Sequence, residues 1–176
     1  MEKELHIIGF QVGRETYGVP ITALHEIVRV PEVTAVPDAP DYIEGVINLR
    51  GRIVSVLDLR KRLGEPKPGR QRSNRILVVQ HHGRLSGLIV DSASEVLKIA
   101  AADVESSPTE SLEGGIKCVT GLGKHQGRLI VLLDLARLLD MSTARRSNET
   151  AKQKLPESAT RAAAASGNEP GGDKPL

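Results

Sequence analysis

The stretch Gly51-Arg-Ile-Val-Ser-Val-Leu-Asp-Leu-Arg-Lys-Arg-Leu-Gly64 returns later in the chain as Gly127-Arg-Leu-Ile-Val-Leu-Leu-Asp-Leu-Ala-Arg-Leu-Leu-Asp140, with six of the fourteen positions identical and three others exchanging one aliphatic for another. A second pair keeps the same order: Gly18-Val-Pro-Ile-Thr-Ala-Leu-His-Glu-Ile-Val-Arg-Val30 and Gly87-Leu-Ile-Val-Asp-Ser-Ala-Ser-Glu-Val-Leu-Lys-Ile99. Self-similarity in fixed order marks a repeated structural unit, so the chain divides into two homologous halves, about 5–64 and 75–140, joined by a basic stretch.

Each half reads mainly as strands. Ile7, Ile8, Phe10 and Val12 run into a turn at Gly13-Arg-Glu, and Arg75-Ile-Leu-Val-Val-Gln80 into one at His82-Gly-Arg, which predicts a hairpin at the start of each half. Thr22 and Asp91 hold matching places where either could N-cap one helical turn that interrupts the strand. Ile53 to Leu57 and Leu129 to Leu133 are too uniformly apolar for half-exposed strands and too short for helices, which predicts strands buried on both faces. Asp58 and Asp134 follow as N-caps of short helices, and Gly64 stands where a left-handed C-cap is wanted. The pattern is that of two small β-barrels, each closed by a short helix.

The 176 residues carry 24 Lys and Arg against 22 Asp and Glu, and contain no Trp, two Tyr and one Phe. The core must therefore be aliphatic, and aromatic cages and base-stacking platforms are nearly excluded. No apolar run reaches the roughly 18 residues of a spanning helix, and Met-Glu-Lys-Glu-Leu-His does not open like a secretory signal, so a cytoplasmic protein is expected. The single cysteine, Cys118, agrees with a reducing compartment and reads as a small buried hydrophobe. From Met141 onward Leu155 and Leu176 are the only large aliphatics, too few to offset chain entropy, so 141–176 is predicted to be a disordered tail.

A catalytic reading finds little to hold. The histidines at 6, 25, 81, 82 and 125 lack metal-ligand spacing, and His81 and His82, as neighbours on a strand, should point to opposite faces. Capping accounts for Asp58 and Asp134, the pairs Gly114-Gly115 and Gly121-Leu-Gly123 read as turns, and no nucleophile elbow or phosphate loop occurs. Neither an enzyme nor a metal or cofactor site is expected. Between residues 50 and 75, nine basic residues stand against Asp58 and Glu65, a local net charge of +7 that predicts one strongly positive face or loop. A nucleic-acid surface is the functional reading of that run and a solvated linker the plain one. No aromatic interleaves with the basic residues, which favours the linker.

Pro40-Asp-Tyr-Ile-Glu-Gly-Val-Ile-Asn-Leu-Arg-Gly51 is the most informative stretch, an apolar strand ending in a tight turn that needs a positive φ. The string Gly45-Val-Ile-Asn-Leu-Arg-Gly51 with Asp58-Leu-Arg60 downstream resembles the bacterial chemotaxis coupling protein family, CheW. Tyr17-Gly-Val-Pro-Ile21, Glu26-Ile27, Gly87-Leu-Ile-Val-Asp91, Glu95-Val-Leu97, Thr120-Gly-Leu-Gly123 and Leu133-Asp-Leu135 look like the family's other landmarks, in order, and the resemblance covers Leu5 to Asp140. Ser55 departs from it, standing where members often have Pro.

The resemblance implies two SH3-like five-stranded β-barrel subdomains side by side over 1–140, with no catalytic activity. It implies an adaptor that joins the cytoplasmic tips of methyl-accepting chemoreceptors to the regulatory domain of the histidine kinase CheA, at the inner face of the membrane and touching it only through receptors. A receptor helical hairpin would lie in the groove between subdomains, with Arg50 and Glu26 as a charge pair beside it and Leu24, Ile27 and Val96 as its apolar wall. About half of those aliphatics are expected in the core instead. Gly45 and Gly51 are the expected kinase-contact positions. An adaptor for a chemosensory pathway controlling pili or biofilm is a close variant; a basic barrel that binds nucleic acid through Arg60 to Arg75 is the reading from a different class.

Overall fold

In the computed structural model, which describes residues 3–66, 69–106 and 118–140, the two halves fold to one plan. The first gives β1 (Glu4–Val12), β2 (Glu15–Pro20), β3 (Leu24–Arg29), β4 (Ile43–Leu49), β5 (Arg52–Asp58) and α1 (Leu59–Arg62). The second gives β6 (Arg75–His81), β7 (Arg84–Val90), β8 (Ser92–Ala100), β9 (Val104–Ser106), β10 (Val119–His125), β11 (Arg128–Leu133) and α2 (Leu135–Leu138). The predicted tail over 141–176, Lys67 and Gly114-Gly115 lie outside the described residues.

The mainly-β class expected from the sequence is the class found, in two sheets ordered β3-β6-β7-β5-β4 and β8-β1-β2-β11-β10-β9. Replacing each strand of the first by its counterpart in the other half reproduces the first five strands of the second, including the parallel pairs β5–β7 and β11–β2. The sequence halves are nevertheless not the sheets. The hairpin β1–β2 joins the sheet of the second half and β6–β7 joins that of the first, so the sheet built from β3 to β7 is one continuous segment. A repeat carries interchangeable hairpins, and self-similarity reports the repeat without reporting which copy a strand pairs with.

This exchange places three apolar layers. Ile47, Val54, Val56, Ile76, Val78 and Ile89 fill one sheet; Ile7, Leu97, Ile99, Ile130 and Leu132 fill the other. Between them lies the largest cluster, drawn from both, with Ile8, Phe10, Val12 and Val19 facing Leu57, Leu77, Val79, Leu88 and Val90. Ile76 to Val79 are all fully buried, alternating between an outer layer and the central one, which is why β6 shows no polar alternation. Leu59 of α1 and Leu135 and Leu138 of α2 close the central layer, and each fully buried side chain of this size contributes about 1.5–3 kcal/mol. The runs from Ile53 and Leu129 are buried on both faces only toward their C-terminal ends. Ile53, Leu129 and Ser55 are exposed, because they lie nearer the hairpin tips, away from the central layer.

Asp58 and Asp134 cap α1 and α2 as expected, accepting bonds from the backbone N–H of Arg60 and of Ala136 and Arg137. Thr22 and Asp91 do not cap. Thr22 lies inside a 3-10 turn, Ile21–Ala23, preceded by Pro20, and the Asp91 carboxylate is taken by the Gly13 N–H and Arg60 while the chain passes straight into β8. His81 and His82 are not on opposite faces: His82 leaves the strand at φ 47°, and the two rings meet edge to face at 4.0 Å.

Candidate functional site

The β4–β5 turn is a two-residue hairpin loop in which Arg50 (φ 50°) and Gly51 (φ 83°) both take the left-handed region, the geometry that matches strand twist. Asn48 Oδ1 accepts the Gly51 N–H at 2.8 Å and closes the loop. The turn lifts Arg50 clear of the sheet, with its side chain 78% exposed, and its Nη2 donates to Glu26 Oε2 at 3.0 Å. Glu26 is only 18% exposed and sits on β3, an edge strand paired with β6. His25 Nε2 lies 3.9 Å from the other carboxylate oxygen.

The charge pair expected between Glu26 and Arg50 is thus formed, and the neighbours of Glu26 divide between two environments. Ile27 is 40% exposed, and Val96, its counterpart on the edge strand β8, is 55% exposed. Both edges border β6, β3 by pairing and β8 by contact. Leu24 is half-buried and packs against the central layer, so the exposed aliphatics here are Ile27 and Val96.

The two glycines separate completely. Gly51 has open space where a Cβ would be. Gly45 is buried at φ 146°, and a Cβ would collide with the Thr34 carbonyl, whose strand segment bridges to Val46. Its lack of a side chain is a packing requirement, and it presents no surface to a partner.

Sequence reasoning missed a buried polar tie. Arg60 is 1% exposed, with Nε and Nη2 each 3.1 Å from the Asp58 carboxylate and Nη1 3.3 Å from Asp91 Oδ1. Asp91 Oδ2 accepts the Gly13 N–H at 2.7 Å, so one guanidinium links α1, the β7–β8 crossover and the β1–β2 turn. Burial alone would lower the Arg60 pKa, but the hydrogen bond and charge of Asp58, with Asp91 beside it, hold it above the ordinary arginine value. The signal was the recurrence of Asp-Leu in both halves with Arg following only at 58–60.

Among the described residues the predicted positive run is partly neutralised by carboxylates and partly tied to backbone carbonyls. Lys61 pairs with Glu44 at 3.0 Å, Arg70 approaches Glu44 at 3.7 Å, Arg62 donates to the Leu138 carbonyl and covers the Tyr42 ring, and Arg75 donates to the Arg72 and Asn74 carbonyls. With Arg50 paired to Glu26 and Arg60 to Asp58 and Asp91, four of the run's basic side chains meet carboxylates, while Arg52 and Arg72 stay exposed. Among the described residues no group of three His, Cys, Asp or Glu could hold a metal ion, and no helix is long and apolar enough to cross a membrane.

A family profile for the CheW-like domain matches residues 6–143. The chain belongs to the CheW family. It is 34% identical over 138 residues to the chemotaxis protein CheW of Helicobacter pylori, covering 78% of this chain and 83% of that protein. It is 33% identical over 130 residues to the CheW of Klebsiella aerogenes, covering 74% and 78%. The crystal structure of the scaffolding protein TtCheW from Thermoanaerobacter tengcongensis superposes with a TM-score of 0.74 at 35% identity, covering 80% of this chain and 95% of that one. Chemotaxis scaffolding is therefore the role of the CheW family to which this chain belongs.

Proposed function

We propose that this chain is a non-enzymatic adaptor that couples methyl-accepting chemoreceptors to the histidine kinase CheA. It acts in the cytoplasm at the inner face of the membrane and reaches the membrane only through receptors. The observation that carries the reading is the Glu26–Arg50 pair next to the exposed Ile27 on one edge strand, with the equivalent exposed aliphatic, Val96, on the edge strand of the other sheet. A receptor helix laid along those edges buries both aliphatics, which contribute affinity, while the charges fix its register. Gly51, at an open turn on the same sheet as β3, is the kinase-contact position that remains, Gly45 being internal. Nothing about this site needs a cofactor or a reacting group.

The test is reconstitution. Purified chain added to cognate kinase and receptor-bearing membranes should raise kinase phosphorylation above that of the kinase with either component alone. Equal phosphorylation with and without the chain contradicts the coupling role. The nucleic-acid reading predicts a steep loss of affinity with salt through counterion release, whereas an apolar groove predicts a shallow slope.

A further inference from the structure

The two edges that flank the proposed groove are copies of one another, and the copies differ in one charge. β3 slips register between Leu24 and Glu26, and β8, against β1, slips between Ala93 and Glu95, so the same extra residue precedes a glutamate and then an exposed aliphatic in each: Glu26-Ile27 and Glu95-Val96. In the first half the turn residue Arg50 reaches the glutamate. The matching turn of the second half, between β10 and β11, carries Gln126 at φ 48° followed by Gly127, a neutral side chain in the same backbone conformation. Glu95 is exposed, and among the described residues it has neither an ion pair nor a side-chain hydrogen bond; Lys98, exposed further along β8, makes no ion pair with it.

A groove whose walls are equivalent aliphatics offers a helix two opposite directions with similar apolar contact. The carboxylates break that tie, since Glu26 is neutralised within the chain and Glu95 is not. We propose that Glu95 is a second ion-pairing point of the groove, taking a lysine or arginine of the helical partner and setting the direction in which that partner lies. This rests on the adaptor reading, because the occupant is the receptor's helical segment. The chemistry required of it is an apolar stripe with a basic side chain toward the Val96 end.

The experiment titrates the full chain and three variants, Glu95→Gln, Glu95→Lys and Ile27→Asp, against the purified cytoplasmic fragment of the cognate chemoreceptor at low and high salt, with thermal unfolding alongside. Glu95→Gln should weaken binding by about fivefold at low salt, the size expected of one accessible ion pair, and flatten the salt dependence. Glu95→Lys should weaken it further, and reversing one basic receptor residue to Glu should restore it. Unfolding should be unchanged in both, since Glu95 has no internal partner to lose. Wild-type affinity in Glu95→Gln and Glu95→Lys together with loss in Ile27→Asp overturns the role of Glu95 and leaves the groove standing. Wild-type affinity in all three overturns the groove itself and the proposal with it.

Discussion

Arg50 holds a conformation that a non-glycine residue adopts at a cost, yet its guanidinium is mostly in solvent and makes one bond to Glu26. An exposed pair of this kind contributes at most about 1 kcal/mol to stability, so Arg50→Glu should shift the unfolding midpoint only slightly while removing the charge that the proposed coupling role assigns to recognition. Gly45 is the opposite case. Gly45→Ala places a methyl against the Thr34 carbonyl at a positive φ and should cost roughly 2–4 kcal/mol in chemical denaturation, against about 1 kcal/mol for Gly51→Ala, where the space is open. Equal losses at the two positions would show that backbone conformation alone, without the collision, sets the penalty. Cys118 is buried, and burial pushes its thiol above the usual 9.0, so the folded chain favours the neutral form. That preference is fully present below the pKa of the unfolded thiol and is lost as pH rises through the folded one. Thermal unfolding of the native chain should therefore fall more steeply above about pH 9 than that of Cys118→Ala.

At the scale of elements, the Asp58–Arg60–Asp91 tie joins a helix start, a crossover between sheets and a hairpin turn. Removing the guanidinium leaves the buried Asp58 facing Asp91, so Arg60→Met should cost about 3–5 kcal/mol, read as a lower denaturant midpoint, whereas Arg72→Met at an exposed position should cost little. The capping half of this arrangement was legible in the sequence, because Asp58 and Asp134 precede short apolar repeats and capping is a local rule. The hairpins were legible too, their turn glycines lying between apolar runs. What escaped was whatever depends on contacts far along the chain. Asp91 reads as a cap only while its carboxylate is free to accept from a following turn, and the Gly13 N–H and Arg60 take it. The basic run reads as nine unpaired charges until Glu44, Asp58 and Asp91 are brought to part of it. Ile27 and Val96 stood out as groove residues only through the family resemblance, for their alternation alone is that of any strand.

For the whole molecule, the duplicated halves exchange hairpins and the largest apolar layer belongs to both sheets. The segment 24–90 supplies every strand of one sheet, but alone it would expose Leu57, Leu59, Leu77, Val79, Leu88 and Val90. It should therefore fail to fold in isolation, and unfolding of the intact chain should be one cooperative transition, with circular dichroism and hydrogen exchange of both sheets reporting the same midpoint. Two separate transitions would mean that the central layer does not couple the sheets. A shared core of this kind would suit the proposed coupling role, in which the chain holds two partners at a fixed separation. The most direct measurement is co-sedimentation of wild type and Arg50→Glu with receptor-bearing membranes and kinase. The coupling account predicts that wild type sediments in a ternary complex and raises phosphorylation while the equally folded variant stays in the supernatant; a wild-type chain that remains in the supernatant with its cognate partners contradicts it.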